Sequence, residues 1–249
     1  MKLLYGLLLG WALCAPPANA WEQDETLHVQ GGTLHVQDET QGGTLPVTER
    51  KEVEQLFETS LQSDDYERNK AILQKIIDLA PESEYGRFSK GWFSAQEGDY
   101  EKAVSEYQAA LQIRPDFGEA RNNLASAYFH LGRWSESIEE FQEALRQHPE
   151  WSETRLNLGS AYYMAKRHFA SIREWEKALQ IDSDLVITHY YLGLAFDKMG
   201  RKSEARRHYR HFLAVDIAAD KIDEEYAEYI DHATDRQLEI WVEEGNERS

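Results

Sequence analysis

The chain has 249 residues, with 45 Asp and Glu against 27 Lys and Arg, and a formal net charge of −18. A field of that sign repels phosphates and anionic lipid, so we expect no nucleic acid partner. The same field favours encounters with basic protein surfaces. The length allows one or two ordinary domains or a repeat array.

The first twenty residues predict a signal peptide. Lys2 precedes an apolar run over residues 3–13, and Ala-Asn-Ala at residues 18–20 has the small side chains that a signal peptidase requires. The run is well short of the ~20 residues of a membrane-spanning helix. Cys14 is the only cysteine, and bulky Leu13 before it disfavours lipid attachment. We therefore expect an exported protein, periplasmic or secreted, with no membrane insertion after leader removal.

Residues 21–49 form a low-complexity segment. Thr-Leu-x-Val motifs at residues 26–29, 33–36 and 44–47 are separated by glycine pairs. This composition buries little apolar surface and predicts a disordered tether. Alternatively, each motif is a short strand that adds to the sheet edge of a partner, and the sequence leaves both interpretations open.

From residue 50 onward, small and bulky residues recur with a period of 34. Small side chains suit close helix crossings, aromatic rings fill the space beside them, and proline ends the second helix of a pair. The small column contains Gly91, Ala125, Gly159 and Gly193; the aromatic column contains Tyr107, Phe141, Trp175 and Tyr209; the prolines are Pro81, Pro115 and Pro149.

These columns resemble the tetratricopeptide repeat family. The best match, residues 118–151, has Leu124, Ala125, Tyr128, Gly132, Trp134, Ser137, Phe141, Ala144 and Pro149 at the family positions. The later units match nearly as well, although Lys166 replaces the turn glycine in one of them. We predict a degenerate unit at 50–83 and further units at 84–117, 118–151, 152–185 and 186–217.

The resemblance implies an all-α, right-handed superhelical solenoid of helix-turn-helix units. An array of this kind needs a cap over its last apolar face, and we predict a capping helix and acidic tail at residues 218–249. The apolar residues assigned to this cap are Ile222, Tyr226, Ile230, Ala233, Leu238 and Trp241.

In this family the first helix of each unit lines a concave groove. Aromatic and carboxamide side chains there suit a peptide or helix of a partner protein. The groove columns carry no Lys or Arg, so we do not expect the binding of acidic chaperone tails that some relatives perform. The residues predicted to contact a partner are Phe88, Trp92, Asn122, Asn123, Ser126, Phe129, Leu156, Asn157, Tyr163, Tyr190 and Tyr191.

A charged column also follows the period, with Arg87, Arg121, Arg155 and His189. It is interpreted either as a ladder for an acidic ligand or as solvated side chains paired with nearby Glu119 or Glu153.

We expect neither a metal site nor an enzyme. His208 and His211 lie three residues apart, but no further ligand follows at suitable spacing. No nucleophile, phosphate loop or metalloprotease motif occurs, which predicts no enzymatic activity and no cofactor.

Two functional hypotheses follow. The first is an exported adaptor that binds a peptide or helix of an envelope-assembly partner in the groove. The alternative is a structural module that self-assembles into a homo-oligomer.

Overall fold

The computed structural model describes residues 46–63, 65–218 and 227–246. These ranges contain eleven α-helices and no strand. The predicted leader and residues 21–45 of the predicted tether lie outside them. The helices are α1 (Val47–Leu61), α2 (Tyr66–Leu79), α3 (Glu84–Gln96), α4 (Tyr100–Ile113), α5 (Gly118–His130), α6 (Trp134–Gln147), α7 (Ser152–Met164), α8 (His168–Ile181), α9 (Ile187–Lys198), α10 (Lys202–Ala218) and α11 (Ala227–Asn246).

Consecutive helices pack against one another, so that the molecule is a stack of helix pairs. The prediction of an all-α solenoid is confirmed. Each predicted unit from residue 50 to 217 contains one pair, although α1 begins at Val47, inside the predicted tether. In the described residues, no helix has both the length and the hydropathy needed to span a membrane.

Side-chain caps and left-handed turns set the helix boundaries. Ser83 accepts a hydrogen bond from the Gly86 N–H at the start of α3, and Asp99 does the same for Lys102 in α4. Between the two helices of each of the last four units, one residue adopts a positive φ angle. Three of these residues are glycine and the fourth is Lys166: Gly98 (79°), Gly132 (72°), Lys166 (59°) and Gly200 (72°).

The two helices of a unit are buried to different extents. In α5, every residue from 122 to 129 is buried, because its own second helix and the second helix of the preceding unit enclose it. In α6, burial follows one stripe at steps of three or four residues. The buried residues of that stripe are Ser137, Ile138, Phe141, Ala144 and Leu145. The first helices therefore form the interior of the stack.

The last helix departs from the predicted cap. Ala233 is buried as expected and Ile230 is half-buried, but Leu238 and Trp241 are 57% and 58% exposed. Ile240, which the sequence analysis passed over, is fully buried against the last unit. The prediction for Leu238 was wrong because a step of five residues from Ala233 turns a helix by about 140° away from the buried face. Trp241 directly follows the buried Ile240, and one residue turns a helix by about 100°. Ile222 and Tyr226 lie outside the described residues.

Candidate functional site

The small residues of the repeat bring the two helices of a unit into close contact. A methyl group added at Gly159 would lie 2.3 Å from the indole nitrogen of Trp175, and one added at Gly193 would lie 2.5 Å from the Tyr209 ring. No unstrained side chain fits in such a gap. The aromatic column thus lies directly on the first helices and closes one side of each of them.

Ten of the eleven residues predicted to contact a partner are buried. None of these ten is more than 9% exposed, and only Leu156 is half-buried. Their surroundings are neighbouring helices of the same chain: the Phe88 ring lies 5.1 Å from Phe57, and Phe129 lies 5.1 Å from Trp134. These side chains are therefore packed between helices of the stack.

The buried amides connect adjacent units. Thr154 donates a 2.9 Å hydrogen bond to the Asn122 side-chain oxygen, and the Asn122 amide donates to Asn123 at 3.3 Å. One unit later Leu156 replaces the asparagine, and the buried Thr188 hydroxyl has no hydrogen-bond partner. Because a buried amide requires a partner, this pairing accounts for Asn122 without any ligand.

Tyr190 joins the last unit to α11. Its hydroxyl lies 3.1 Å from His232 Nδ1, and its ring meets Tyr229 edge-on at a 5.0 Å centroid distance. Tyr191 stacks on Trp175 of the preceding unit at 5.6 Å. Both tyrosines are therefore fixed by contacts between successive helices.

The accessible part of the inner face is a column that the sequence analysis did not select. It lies one helical turn after the column of Trp92, Ser126, Ser160 and Leu194, and therefore on the same stripe. Its members are Gln96, His130, Met164 and Lys198, of which His130 and Met164 are half-buried and the other two exposed. The period of 34 is sufficient to find this column in the sequence. Its mixture of polar, charged and apolar residues is the feature that could have indicated an accessible position.

A small recess between the second and third units brings some predicted residues together with this column. Trp92, Asn123 and Ser126 line it with His130. The His130 ring stacks on Tyr100 at 4.5 Å, and burial lowers the pKa of its imidazole to about 4. His130 is therefore neutral at physiological pH.

Glu153 provides a carboxyl group in the first turn of α7. Burial, assisted by the nearby charge of Asp182, raises the pKa of Glu153 to about 7. This group therefore changes its charge in the neutral pH range.

The arginine column is part of the structure of the stack. Arg121 Nη1 donates to Glu140 at 2.8 Å and its Nη2 to the Pro115 carbonyl at 2.8 Å. Arg155 repeats this with Glu174 at 3.1 Å and the Pro149 carbonyl at 2.9 Å. Arg87 likewise pairs with Glu106 at 3.0 Å.

The glutamate partners lie on the second helix of each unit, so the interpretation that invoked Glu119 or Glu153 was wrong. Each arginine connects both helices of its unit, and in two units it also holds the end of the preceding one. These guanidinium groups are engaged and do not form a ladder for an acidic ligand.

In the last unit, two histidines replace the arginine and glutamate of this column. His189 and His208 have their Nδ1 atoms 3.0 Å apart, and the His211 ring lies 4.1 Å from His189. Burial, with smaller contributions from neighbouring positive charges, lowers the pKa of both His189 and His208 to about 4. In the part of the chain that the structure describes, no three His, Cys, Asp or Glu side chains are placed to hold a metal ion.

Several solved structures are similar to this fold. MamA of Desulfovibrio magneticus RS-1 has a TM-score of 0.56 at 17% identity, with 70% of this chain and 96% of that chain covered. A tetratricopeptide protein of Thermus thermophilus has 0.56 at 17%, covering 75% and 97%. PilF of Pseudomonas aeruginosa has 0.57 at 20%, covering 79% and 90%. At these identities the likeness shows the fold alone.

Family models agree with the helix pairs. No curated protein matches the chain in sequence. Three models described as tetratricopeptide repeat match residues 60–116, 94–156 and 188–215. Together with the period of 34 and the stacked pairs, these matches show that the chain belongs to the tetratricopeptide repeat family.

Proposed function

We propose that the protein is an exported scaffold that holds a peptide or helix of an envelope-assembly partner against the inner face of its solenoid. The observation that carries the proposal is an accessible column of side chains on that face, which stands on closely packed helices. The first helices are enclosed by buried contacts, and the accessible column of Gln96, His130, Met164 and Lys198 repeats once per unit. Helices packed in this way have little backbone entropy left to lose on binding.

The chemistry of the accessible column suits a segment of mixed character. Met164 and half-buried Leu156 offer apolar contact, Gln96 offers an amide, and Lys198 carries a positive charge. The deeper predicted residues hold these side chains in position and contribute indirectly. A partner segment that spans two or more units makes several such contacts at once, and specificity arises from their order.

Site-specific photo-crosslinking in the native cell tests this proposal. A benzophenone amino acid replaces Gln96, Met164 or Lys198 on the inner face, and Glu139 or Glu176 on exposed second-helix positions serves as the control. We expect the same discrete adduct from at least two inner positions and from neither control. Equal yields at all five positions, or no adduct at all, would contradict the proposal. An adduct of twice the chain mass would instead support the homo-oligomer alternative.

Export is tested separately. The mature protein is expected in the periplasmic or secreted fraction with Trp21 as its first residue. N-terminal sequencing and intact mass measure this directly. A chain that keeps residues 1–20 and fractionates with the cytosol would overturn the export part of the proposal while leaving protein binding untouched.

A further inference from the structure

The last helix, α11, occupies the place of the first helix of an additional unit. The Trp175 ring meets Tyr191, sixteen residues later, whereas the Tyr209 ring of the next unit meets His232, twenty-three residues later. Likewise Asn122 bonds Thr154, thirty-two residues on, whereas Tyr190 meets Tyr229, thirty-nine residues on. In both comparisons, the residue of α11 lies seven positions later in the sequence than the period of 34 would place it. With that offset, α11 makes the contacts of a first helix.

The offset identifies the position of every other residue of α11. Thr234 corresponds to the small column of Gly159 and Gly193, which an aromatic ring of the second helix covers in the other units. Trp241 corresponds to the left-handed turn residues Lys166 and Gly200. At Trp241 the chain remains helical, and α11 extends to Asn246. In the described residues, no second helix of this unit covers α11.

The uncovered side of α11 is apolar at its C-terminal half and acidic at its N-terminal half. Leu238, Trp241 and Val242 are 57%, 58% and 51% exposed, and they point away from the face that buries Ile240. Asp231 and Asp235 are exposed on the same side, nearer the start of the helix. This set of residues is called the α11 outer face below.

The cationic residue Arg236 lies on another side of α11 and is engaged. It donates to both carboxylate oxygens of Asp197 at 2.8 Å, which anchors α11 to the last unit. Lys202 at the start of α10 pairs with Glu243 at 3.1 Å. The α11 outer face itself carries no Lys or Arg, so its charge is negative.

We propose that the α11 outer face docks an amphipathic helix of another protein, with basic residues in one half and large apolar residues in the other. The helix takes the place that the second helix has in the other units, covers Leu238, Trp241 and Val242, and pairs its cations with Asp231 and Asp235. Exposed tryptophan and leucine in one cluster are typical of interaction surfaces.

Other occupants complement the α11 outer face less well. Residues 21–45 of the same chain contain five acidic residues and no Lys or Arg. A second copy brings an identical acidic face and a chain whose net charge is −18. Both would place negative charge against Asp231 and Asp235.

Two synthetic helical peptides that share their apolar residues test the proposal. One carries lysines at its polar positions and the other glutamates, and fluorescence anisotropy measures their binding to the mature chain at low and high salt. We expect the lysine peptide to bind at least tenfold more tightly. The double variant L238A/W241A should weaken it at least tenfold, whereas Phe169→Ala, which truncates an exposed ring on α8, should leave it unchanged. The double variant D231N/D235N should weaken binding several-fold and reduce its salt dependence.

Binding that L238A/W241A leaves unchanged, or equal binding of both peptides, would overturn the proposal. So would a dimer of the wild-type chain in light scattering that this double variant converts to a monomer. Because the substituted side chains are exposed, circular dichroism should show an intact fold. The inner-face crosslinks are expected to persist in L238A/W241A, so failure of this proposal and failure of the proposed function are distinguishable.

Discussion

The contact between Gly159 and Trp175 offers a direct test of how the repeat is held together. An added methyl group at Gly159 would lie 2.3 Å from Trp175 Nε1 and 2.4 Å from its Cδ1, and the same indole N–H donates a 2.9 Å hydrogen bond to the Leu156 carbonyl. In the preceding unit, Ala125 and Phe141 occupy the equivalent positions, and both are fully buried. One unit thus combines the smallest residue with the largest ring, and the other combines a slightly larger residue with a smaller ring.

The magnitude of Gly159→Ala follows from three contributions. Overpacking in a dense core costs about 1–3 kcal/mol. Displacement of the indole loses a hydrogen bond worth about 1 kcal/mol. The better helix propensity of alanine returns about 1 kcal/mol. We therefore expect the free energy of unfolding to fall by about 1–3 kcal/mol.

Trp175→Phe alone removes the hydrogen bond and leaves unfilled volume, at a cost of about 1–3 kcal/mol. The double variant G159A/W175F recreates the pair of Ala125 and Phe141. Its cost should be smaller than the sum of the single costs by at least ~1 kcal/mol. Urea unfolding followed by circular dichroism measures all four proteins. Strictly additive costs would refute the inference that the small and aromatic columns are chosen jointly.

Three further predictions concern a turn residue and the titrating groups of the stack. Lys166→Gly should raise the midpoint of thermal unfolding by about 2–4 °C, because glycine adopts the left-handed turn without strain, and Lys166→Ala should not. His189 and His208 stay neutral in the folded chain while an unfolded histidine takes up a proton near pH 6.5, so their contribution to stability is complete above pH 6.5 and is lost toward pH 4. H189R/H208E should flatten that pH dependence in thermal melts; an unchanged slope would refute this. The pKa of Glu153 rises from 4.5 unfolded to about 7, so this group lowers the stability of the fold as pH rises from about 4.5 to about 7, and the full cost remains above pH 7. In thermal melts, Glu153→Gln should therefore stabilise the chain at pH 8 and have little effect at pH 4.

Sequence predicted the stacked pairs because their determinants are local and periodic. A small residue and an aromatic one sixteen positions later, such as Gly159 and Trp175, specify one helix crossing wherever they occur. The turn at Lys166 was placed by phase alone, and the chain adopts the left-handed conformation there even without glycine. Repetition thus overrides a single unfavourable residue.

The exposure of side chains on the inner face could not be predicted from the sequence period. Helical phase tells on which side of a helix Ser126 or Asn122 lies, but it does not tell how closely the next helix approaches. The same limit explains the arginines: Glu119 lies two residues from Arg121 in sequence, whereas its actual partner Glu140 is nineteen residues away on the facing helix. The distance between two helices depends on the size of the side chains on both of them. The residues at one repeat position do not contain this information.

Three departures from the period lie together at the C-terminal end of the stack. There the Arg–Glu pair becomes His189 and His208, seven extra residues precede the contacts of α11, and Trp241 stands where the other full units turn. If stacking were the only requirement, each of these positions would carry the residue found at the equivalent position of the other units, because that residue already packs well against its neighbours there. Positions that break a local rule without a stacking benefit are those where another requirement operates. On this reasoning, variants of the α11 outer face should affect partner binding more than stability, whereas variants in the buried small and aromatic columns of the central units should do the reverse.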